Sequence, residues 1–407
     1  MKNIITLSLV TSSILIAGGY KIPEQSINSM ALGAAYVANT TDADTAYYNP
    51  ANMSFMDEES SYMEMGLTLA HLPSNTFRGT LNGVSADGES EVENLPIPYM
   101  HYVSSEINGW RLGVSTTVPA GLTKRWLTKY QKLSAEEFTL KNIEINPVAS
   151  YKISDYMSIG GGIRAIYSQG KVYSDGTGTS KPVKREMEGD TIEWGYNLAL
   201  AIRPKDDIKI GVTYRSKVML NEEGEANLYF TGLGKQYGTK VSVPIPAALN
   251  IAISKQWNDR LTVELVYERT FWSAYKNLNF KYDGTLSPIL NTAFNSVKEK
   301  LWTDTNTYRL GLTYQYNDRL TLMAGYSYDE TPVPAKTLSF ELPDSDAHIF
   351  SGGFKYKQTE NLSWGMAILY DKKVKRTIAV GENNDKIVGT FSDGGAILGT
   401  VGISYRF

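Results

Sequence analysis

Apolar and polar residues alternate along most of this chain with a period of two. The last eleven residues show it most cleanly. Ile397, Gly399, Val401, Ile403, Tyr405 and Phe407 alternate with Leu398, Thr400, Gly402, Ser404 and Arg406. A strand of this kind has one face in an apolar medium and the other near water. The pattern recurs at Leu261, Val263, Leu265 and Tyr267, at Tyr308, Leu310, Leu312 and Tyr314, and at Trp194, Tyr196, Leu198 and Leu200. Aromatic residues gather near the ends of the apolar faces, as the interface girdles of a membrane barrel require. Alternation predicts about fourteen strands, over residues 60–71, 96–105, 109–119, 142–153, 157–172, 189–203, 207–218, 245–256, 260–271, 303–316, 320–329, 345–357, 361–373 and 394–407.

The connections sort by parity. Even-numbered strands end in tight polar turns such as 105–108, 154–156, 204–206 and 317–318, whereas odd-numbered strands lead into long segments such as 120–141, 173–188, 219–244 and 272–302. Short periplasmic turns and long external loops produce this asymmetry in an outer-membrane barrel. A soluble sandwich has no reason to keep it through the whole chain. Two of the long segments read as locally helical: Ser134 to Glu137 has capping-box spacing, and Ser287-Pro288 suits the start of a helix over 289–301. Such helices would fold over the barrel mouth as an apolar docking surface.

Composition narrows the class. Lys2 and the apolar run 4–16 form a secretory signal, with small residues at Ala17 and Gly18 placing cleavage near 17–19. No later stretch approaches the ~20 apolar residues of a membrane-spanning helix. The chain has no Cys and a formal net charge of −3, which gives no reason to expect thiol chemistry or a nucleic-acid partner. The fold class is therefore all-β, a 14-stranded antiparallel transmembrane β-barrel in the outer membrane. The expected organisation is a signal over 1–18, an N-terminal hatch or plug over 19–58 and the barrel over 59–407. Residues 19–58 are rich in Ala, Asn, Ser and Thr and lack sustained alternation. A cylinder of this strand number is wider than the eight-strand kind that its own side chains fill, so a small-residue segment such as 30–38 has room inside.

Here a family resemblance emerges. Ser29-Met30-Ala31-Leu32-Gly33-Ala34-Ala35-Tyr36, followed by Tyr48-Asn49-Pro50-Ala51-Asn52-Met53, resembles the hatch and Asn-Pro-Ala motif of the FadL family of outer-membrane long-chain fatty acid transporters (OMPP1/FadL/TodX). Val118-Pro119-Ala120-Gly121-Leu122, Ile145-Asn146-Pro147-Val148, Pro246-Ala247-Ala248-Leu249, Thr270-Phe271-Trp272 and Tyr328-Asp329-Glu330-Thr331-Pro332 are similar to further family segments in the same order. The resemblance implies passive uptake of a hydrophobic molecule. External loops collect it, a pocket inside the barrel holds it, a change in the hatch releases it, and a kink in the third strand lets it leave sideways into the membrane. Long-chain fatty acids are the first cargo so implied, aromatic hydrocarbons the second; a general diffusion porin is the rival reading. Outer-membrane lipid and lipopolysaccharide surround such a protein, which is expected to work as a monomer without cofactor or metal.

The resemblance assigns Asn49, Pro50 and Ala51 to holding the hatch near the third-strand kink, for which Gly113 is a candidate. Alternation turns several charges inward: Arg111, Lys152, Arg164, Arg203, Lys209, Arg215, Glu264, Glu268, Arg309, Lys355 and Arg406. Arg164 and Arg309 fall nearest mid-barrel. A guanidinium grips a carboxylate with two parallel hydrogen bonds, which makes these two the candidates for a fatty-acid head group; salt bridges to Glu264, Glu268, Asp42 or Asp44 are the structural alternative. Trp126, Tyr130, Leu133 and Phe138, after the third strand, are candidates for external capture. The three histidines, His71, His101 and His348, have no metal-ligand spacing. Only an unseen Ser–His pairing at His101 would suggest hydrolysis, and no enzyme activity is expected.

Overall fold

The computed structural model describes residues 18–180 and 182–407. The expected signal, apart from Gly18, lies outside the described residues. Fourteen strands form the wall: β1 Tyr62–Leu72, β2 Glu93–Val103, β3 Trp110–Thr117, β4 Glu137–Ser154, β5 Met157–Asp175, β6 Val183–Lys205, β7 Ile208–Arg215, β8 Ala248–Gln256, β9 Leu261–Thr270, β10 Thr305–Gln315, β11 Leu320–Asp329, β12 Ala347–Lys357, β13 Leu362–Lys373 and β14 Gly395–Arg406. Each pairs antiparallel with its neighbours in chain order. Tyr62 to His71 then pair with Arg406 to Ile397 and close the cylinder. All fourteen expected strands are present. Outward apolar residues such as Ile192, Trp194, Leu198, Val401 and Phe407 are exposed, as lipid-facing positions must be.

The wall is taller than alternation predicted. Strands β4, β5 and β6 run 18, 19 and 23 residues, against the ~10 that cross a bilayer at a tilt. On β6 the outward positions change character along the strand. Lys184, Glu186, Glu188 and Asp190 give way to Ile192, Trp194, Tyr196, Leu198 and Leu200. The switch marks the edge of the membrane; beyond it the outer face meets water, while Val183, Arg185 and Met187 on the inner face are buried. Segments read as loops are therefore wall. Residues 219–244 are mostly a hairpin, Val218–Phe230 with Leu233–Ile245, whose first strand pairs with the upper part of β6.

Both expected external helices shrink. A single turn, Lys132–Ala135, contains Ser134 instead of being capped by it, and Glu137 already begins β4. The second helix spans Pro288–Phe294 and stops well short of 301. Its continuation pairs as a strand, Asn277 and Leu278 with Glu299 and Lys298. Leu290 and Phe294 are buried, while Ile289 and Val297 remain exposed.

Residues 18–56 thread the lumen through two short helices, Ile27–Ala31 and Thr45–Tyr48, and a 3₁₀ helix, Pro50–Phe55. Their small residues meet glycines on the wall. A Cβ at Gly325 would lie 2.2 Å from the Leu32 carbonyl carbon, and one at Gly160 2.7 Å from the Ala51 nitrogen. Polar ties complete the fit. The Glu264 carboxylate accepts from the backbone N–H of Val37, Ala38 and Asn39 at 2.6, 2.7 and 3.0 Å. Ser327 and Ser351 donate to the carbonyls of Gly33 and Ala31 at 2.7 and 2.9 Å.

Candidate transport route

The third strand breaks at Val118-Pro119-Ala120. Thr117 faces Glu144 on β4 and Gly121 faces Lys141, so three residues on β3 oppose two, Asn142 and Ile143. This is a bulge that bends the strand away. Gly113 sits in regular pairing between Val103 and Val148 and is not the kink. On the other side β2 pairs with β3 only from Met100 to Val103, so residues 93–99 have no β3 partner. Higher up, the wall is bridged again, Glu91 N–H to the Arg125 carbonyl at 2.8 Å. The result is a bounded slot in the wall between β2 and β3.

Two prolines line that slot. Ser104 donates its N–H towards β3, to Leu112, at 2.8 Å. Counting back by twos places the nitrogens of Pro98 and Pro96 on the same edge. Neither carries an N–H. The β2 edge of the slot is thus short of donors where pairing would otherwise propagate.

On the lumen side the N-terminal segment takes the place of the missing partner. Gln25 reads both backbone groups of Val118: its Oε1 accepts from the N–H at 3.0 Å and its Nε2 donates to the carbonyl at 2.9 Å. Ile22 N–H donates to the Pro119 carbonyl at 3.0 Å, and Gly121 N–H to that of Tyr20 at 2.9 Å. The family resemblance implies that Asn49 holds the hatch near this kink. Asn49 instead caps the 3₁₀ helix, accepting from Ala51 N–H at 3.2 Å, and donates to the Val37 carbonyl at 2.8 Å. Pro50 and Ala51 pack on Gly160 of β5, and the Ala51 carbonyl accepts from Ser158 at 2.7 Å. The motif therefore seats on β5, and among the described residues none of its hydrogen bonds goes to Val118, Pro119 or Ala120. Only a buried, hydrogen-bonding Gln beside a bulge could have revealed Gln25, and neither burial nor bulge is visible in sequence.

Three cavities lie in series. An outer groove is lined by Leu133, Phe138, Arg185, Phe280 and Phe294. It shares Phe138, Leu278, Phe280 and Glu341 with an inner apolar pocket that also holds Tyr20, Leu122, Val172, Tyr275 and Trp302. Tyr20 plugs the floor, its ring 4.8 Å from Trp272 and 5.7 Å from Trp302. Beyond it, a lower chamber is lined by Lys21, Tyr47, Pro50, Pro119, Arg164, Arg215 and Arg309. The chamber thus touches the break at Pro119.

Arg164 and Arg309 come together in the lower chamber, and both are engaged. Arg164 bonds Glu144 through Nε at 2.9 Å and donates to the Ser216 carbonyl at 2.8 Å. Glu144 also holds Arg215. Arg309 lies 3.4 Å from Glu268, which Lys21 approaches to 2.5 Å. In the inner pocket Lys300 is bonded to Glu341 at 2.6 Å. Burial pushes the Glu341 carboxyl up, but the Lys300 ammonium beside it outweighs that and holds it below its ordinary value. Asp42, Asp44 and Glu64 converge within 4.8 Å in the lumen around Lys355, whose ammonium is 2.8 Å from Asp42. His101 bonds Ser115 at 2.9 Å and faces the Gln25 carbonyl at 2.8 Å, fully buried between wall and N-terminal segment.

Of the external candidates, Phe138 lines both upper cavities, Leu133 the outer groove, and Tyr130 packs half-buried against the main apolar core. Trp126 is fully buried. Its Nε1 donates to the Phe340 carbonyl at 2.9 Å, and its ring joins Phe340, Phe77 and Phe391 in one cluster that ties four loops over the mouth. Replacing Trp126 with Ala should cost this cap about 3–5 kcal/mol. Limited proteolysis should then cut the loops while the barrel strands stay intact; unchanged loop protection would contradict the cluster's role.

The matching proteins agree with this architecture. The model of the outer membrane protein transport family (OMPP1/FadL/TodX) matches residues 8–407. A long-chain fatty acid transport protein of Escherichia coli is 24% identical over 90% of both chains. Outer membrane protein P1 of Haemophilus influenzae is 25% identical over 96% of this chain and 95% of its own. Among solved structures, a Pseudomonas aeruginosa FadL homologue superposes with a TM-score of 0.83 at 19% identity, covering 95% of this chain and 99% of that one. The Pseudomonas putida toluene transporter TodX gives 0.72 at 17% identity with the same coverage. By its family model, its closed barrel and its lipid-facing belt, the chain belongs to the OMPP1/FadL/TodX family of outer-membrane transport proteins.

Proposed function

We propose that the protein passively imports long-chain fatty acids. The outer groove collects the molecule, the inner pocket holds its alkyl chain, and movement of the N-terminal hatch opens the way to the lower chamber. The slot between β2 and β3 is the exit. One observation carries this reading: Pro119 lies both on the lining of the lower chamber and at the break in the wall. A greasy molecule at that point moves into lipid without crossing water, which its apolar surface favours by about 25 cal/mol per Å². On this route Arg164 and Arg309 meet the head group as it passes the chamber. Asn49, Pro50 and Ala51 act as the fixed end of the hatch, against which residues 20–25 move.

Aromatic hydrocarbon uptake is the second reading. It is favoured by the inner pocket, whose one lining cation, Lys300, is already committed to Glu341. Labelled oleate and toluene, offered to cells that make the protein and lack other uptake routes, separate the two: oleate should accumulate. Planar-bilayer recording belongs with that assay. Large steady currents from the intact protein would sink the proposal in favour of a diffusion porin.

A further inference from the structure

Four charged groups meet where the hatch lies against the wall. Asp42 and Asp44 come from the turn that leads into the helix Thr45–Tyr48, Glu64 from β1 and Lys355 from β12. One oxygen of each carboxylate lies within 4.8 Å of the others. The Lys355 ammonium is 2.8 Å from Asp42 and 3.8 Å from Glu64. Asp44 and Glu64 are fully buried. Asp44 accepts from the Tyr36 hydroxyl at 3.0 Å and from Asn28 Nδ2 at 3.2 Å, and among the described residues no cation is paired with it. Glu64 accepts from the Ser404 hydroxyl at 3.1 Å.

With every acid ionised, three carboxylates against one ammonium leave two negative charges in a closed site. Like charges so placed repel strongly, and keeping a proton relieves them. Burial pushes the Asp44 carboxyl well above its ordinary value; Glu64 and Asp42 push it further, and Lys355 offsets them only in part. The other titratable groups that face Asp44 are Tyr36, Tyr48, Tyr99 and His101. Phenols ordinarily ionise only near pH ~10 and stay neutral here. His101 meets the Gln25 carbonyl through Nε2 and the Ser115 hydroxyl through Nδ1, two bonds that a neutral ring satisfies.

We propose that this cluster is a proton-held latch between hatch and wall. Seated, Asp44 carries the proton that lets it lie beside Glu64; released into water, it gives that proton up. Seating therefore takes up a proton, and acid favours it. The gain is whole below the ordinary carboxyl value of about 4, and it is lost as pH rises through the higher value of the seated group. His101 works in the opposite sense, because a released hatch leaves it free to charge below about pH 6.5. The inference rests on the reading of the N-terminal segment as a moving hatch and adds what its seat responds to.

Hydrogen exchange over residues 40–49 of the purified full chain, set against an unstructured peptide of the same sequence at the same pH, measures how firmly the hatch is seated. Asp44→Asn can still accept from Tyr36 and Asn28 and cannot ionise. Between about pH 5 and about pH 7 its protection should fall about tenfold less than that of the wild type, since one proton linked to seating is worth up to tenfold per pH unit. Glu64→Gln removes the like charge from the wall side and should flatten the profile in the same way. His101 is present in all three proteins, so its opposite contribution drops out of the comparison. Heat-modifiable migration on a gel checks that each barrel is folded. The same pH dependence in the wild type and both variants would overturn the latch. Exchange as free as that of the peptide at every pH would show that no hatch is seated, and the latch would fall with it. Exchange reads the seat whether or not oleate is carried, so failure of the fatty-acid reading leaves this result standing.

Discussion

Deleting residues 19–55 should turn a nearly non-conducting barrel into one that passes large, steady single-channel currents. The wall closes through its own ladder, Tyr62 to His71 against Arg406 to Ile397, and does not need the plug for closure. A cylinder of this strand number leaves an open lumen once its contents are gone. What fills it here is held tightly, with Gly160 and Gly325 letting backbone touch wall and Glu264 accepting three consecutive N–H groups. A carboxylate so bonded is among the stronger single ties in a protein, each charge-assisted bond contributing about 1.5–3 kcal/mol. Conductance should rise by an order of magnitude or more, and Glu264→Ala should give a weaker, flickering version of the same leak. A deletion variant that folds yet conducts no better than the intact protein would show that residues 19–55 do not block the lumen.

Closing the slot should abolish uptake while leaving binding in place. Removing Pro119 matches the residue count of β3 to that of β4, and Pro96→Val with Pro98→Val restores N–H donors on the facing edge of β2. Strands offered complementary edges pair readily, so the combined variant should zip β2 to β3 through residues 93–99. Oleate should still bind the outer groove and inner pocket, which lie above the break. Its accumulation in cells should fall to background. Undiminished accumulation would place the exit elsewhere, at the periplasmic end of the barrel. Hydrogen exchange at residues 93–99 and 118–124 reports independently whether the new ladder has formed.

The wall was legible in sequence because lipid imposes a rule on every second residue. Ile192 to Leu200 on β6 and Ile397 to Phe407 obey it. Above the membrane edge the rule lapses: Lys184, Glu186 and Glu188 face water on a strand that continues unbroken, so the tall rim looks like loop in sequence. The inward charges were legible for the same reason as the wall, and Arg164 and Arg309 do share a chamber. Their partners were not. Glu144 shares the inward face of β4 with Lys152, but which charge it meets depends on register between strands. The hatch motif was visible as a run of residues, but its seat on β5 depends on Gly160 and Ser158, more than a hundred residues away. Gln25 carries no signal that local pattern supplies.

The first and last strands of the wall meet at the seam, where the Phe407 N–H donates to the Ser61 carbonyl at 2.9 Å. Order of assembly follows from that meeting. Gly33 is tied to Ser327, Ala31 to Ser351 and Val37 to Glu264, each across more than two hundred residues. The amino-terminal segment is made first, and the part of its seat on β9, β11 and β12 is made only after most of the wall. Such long-range contacts form slowly. Until β14 joins β1, the nascent sheet has two free edges and an unfilled hollow, so the same closure that makes the cylinder also decides what is locked inside it.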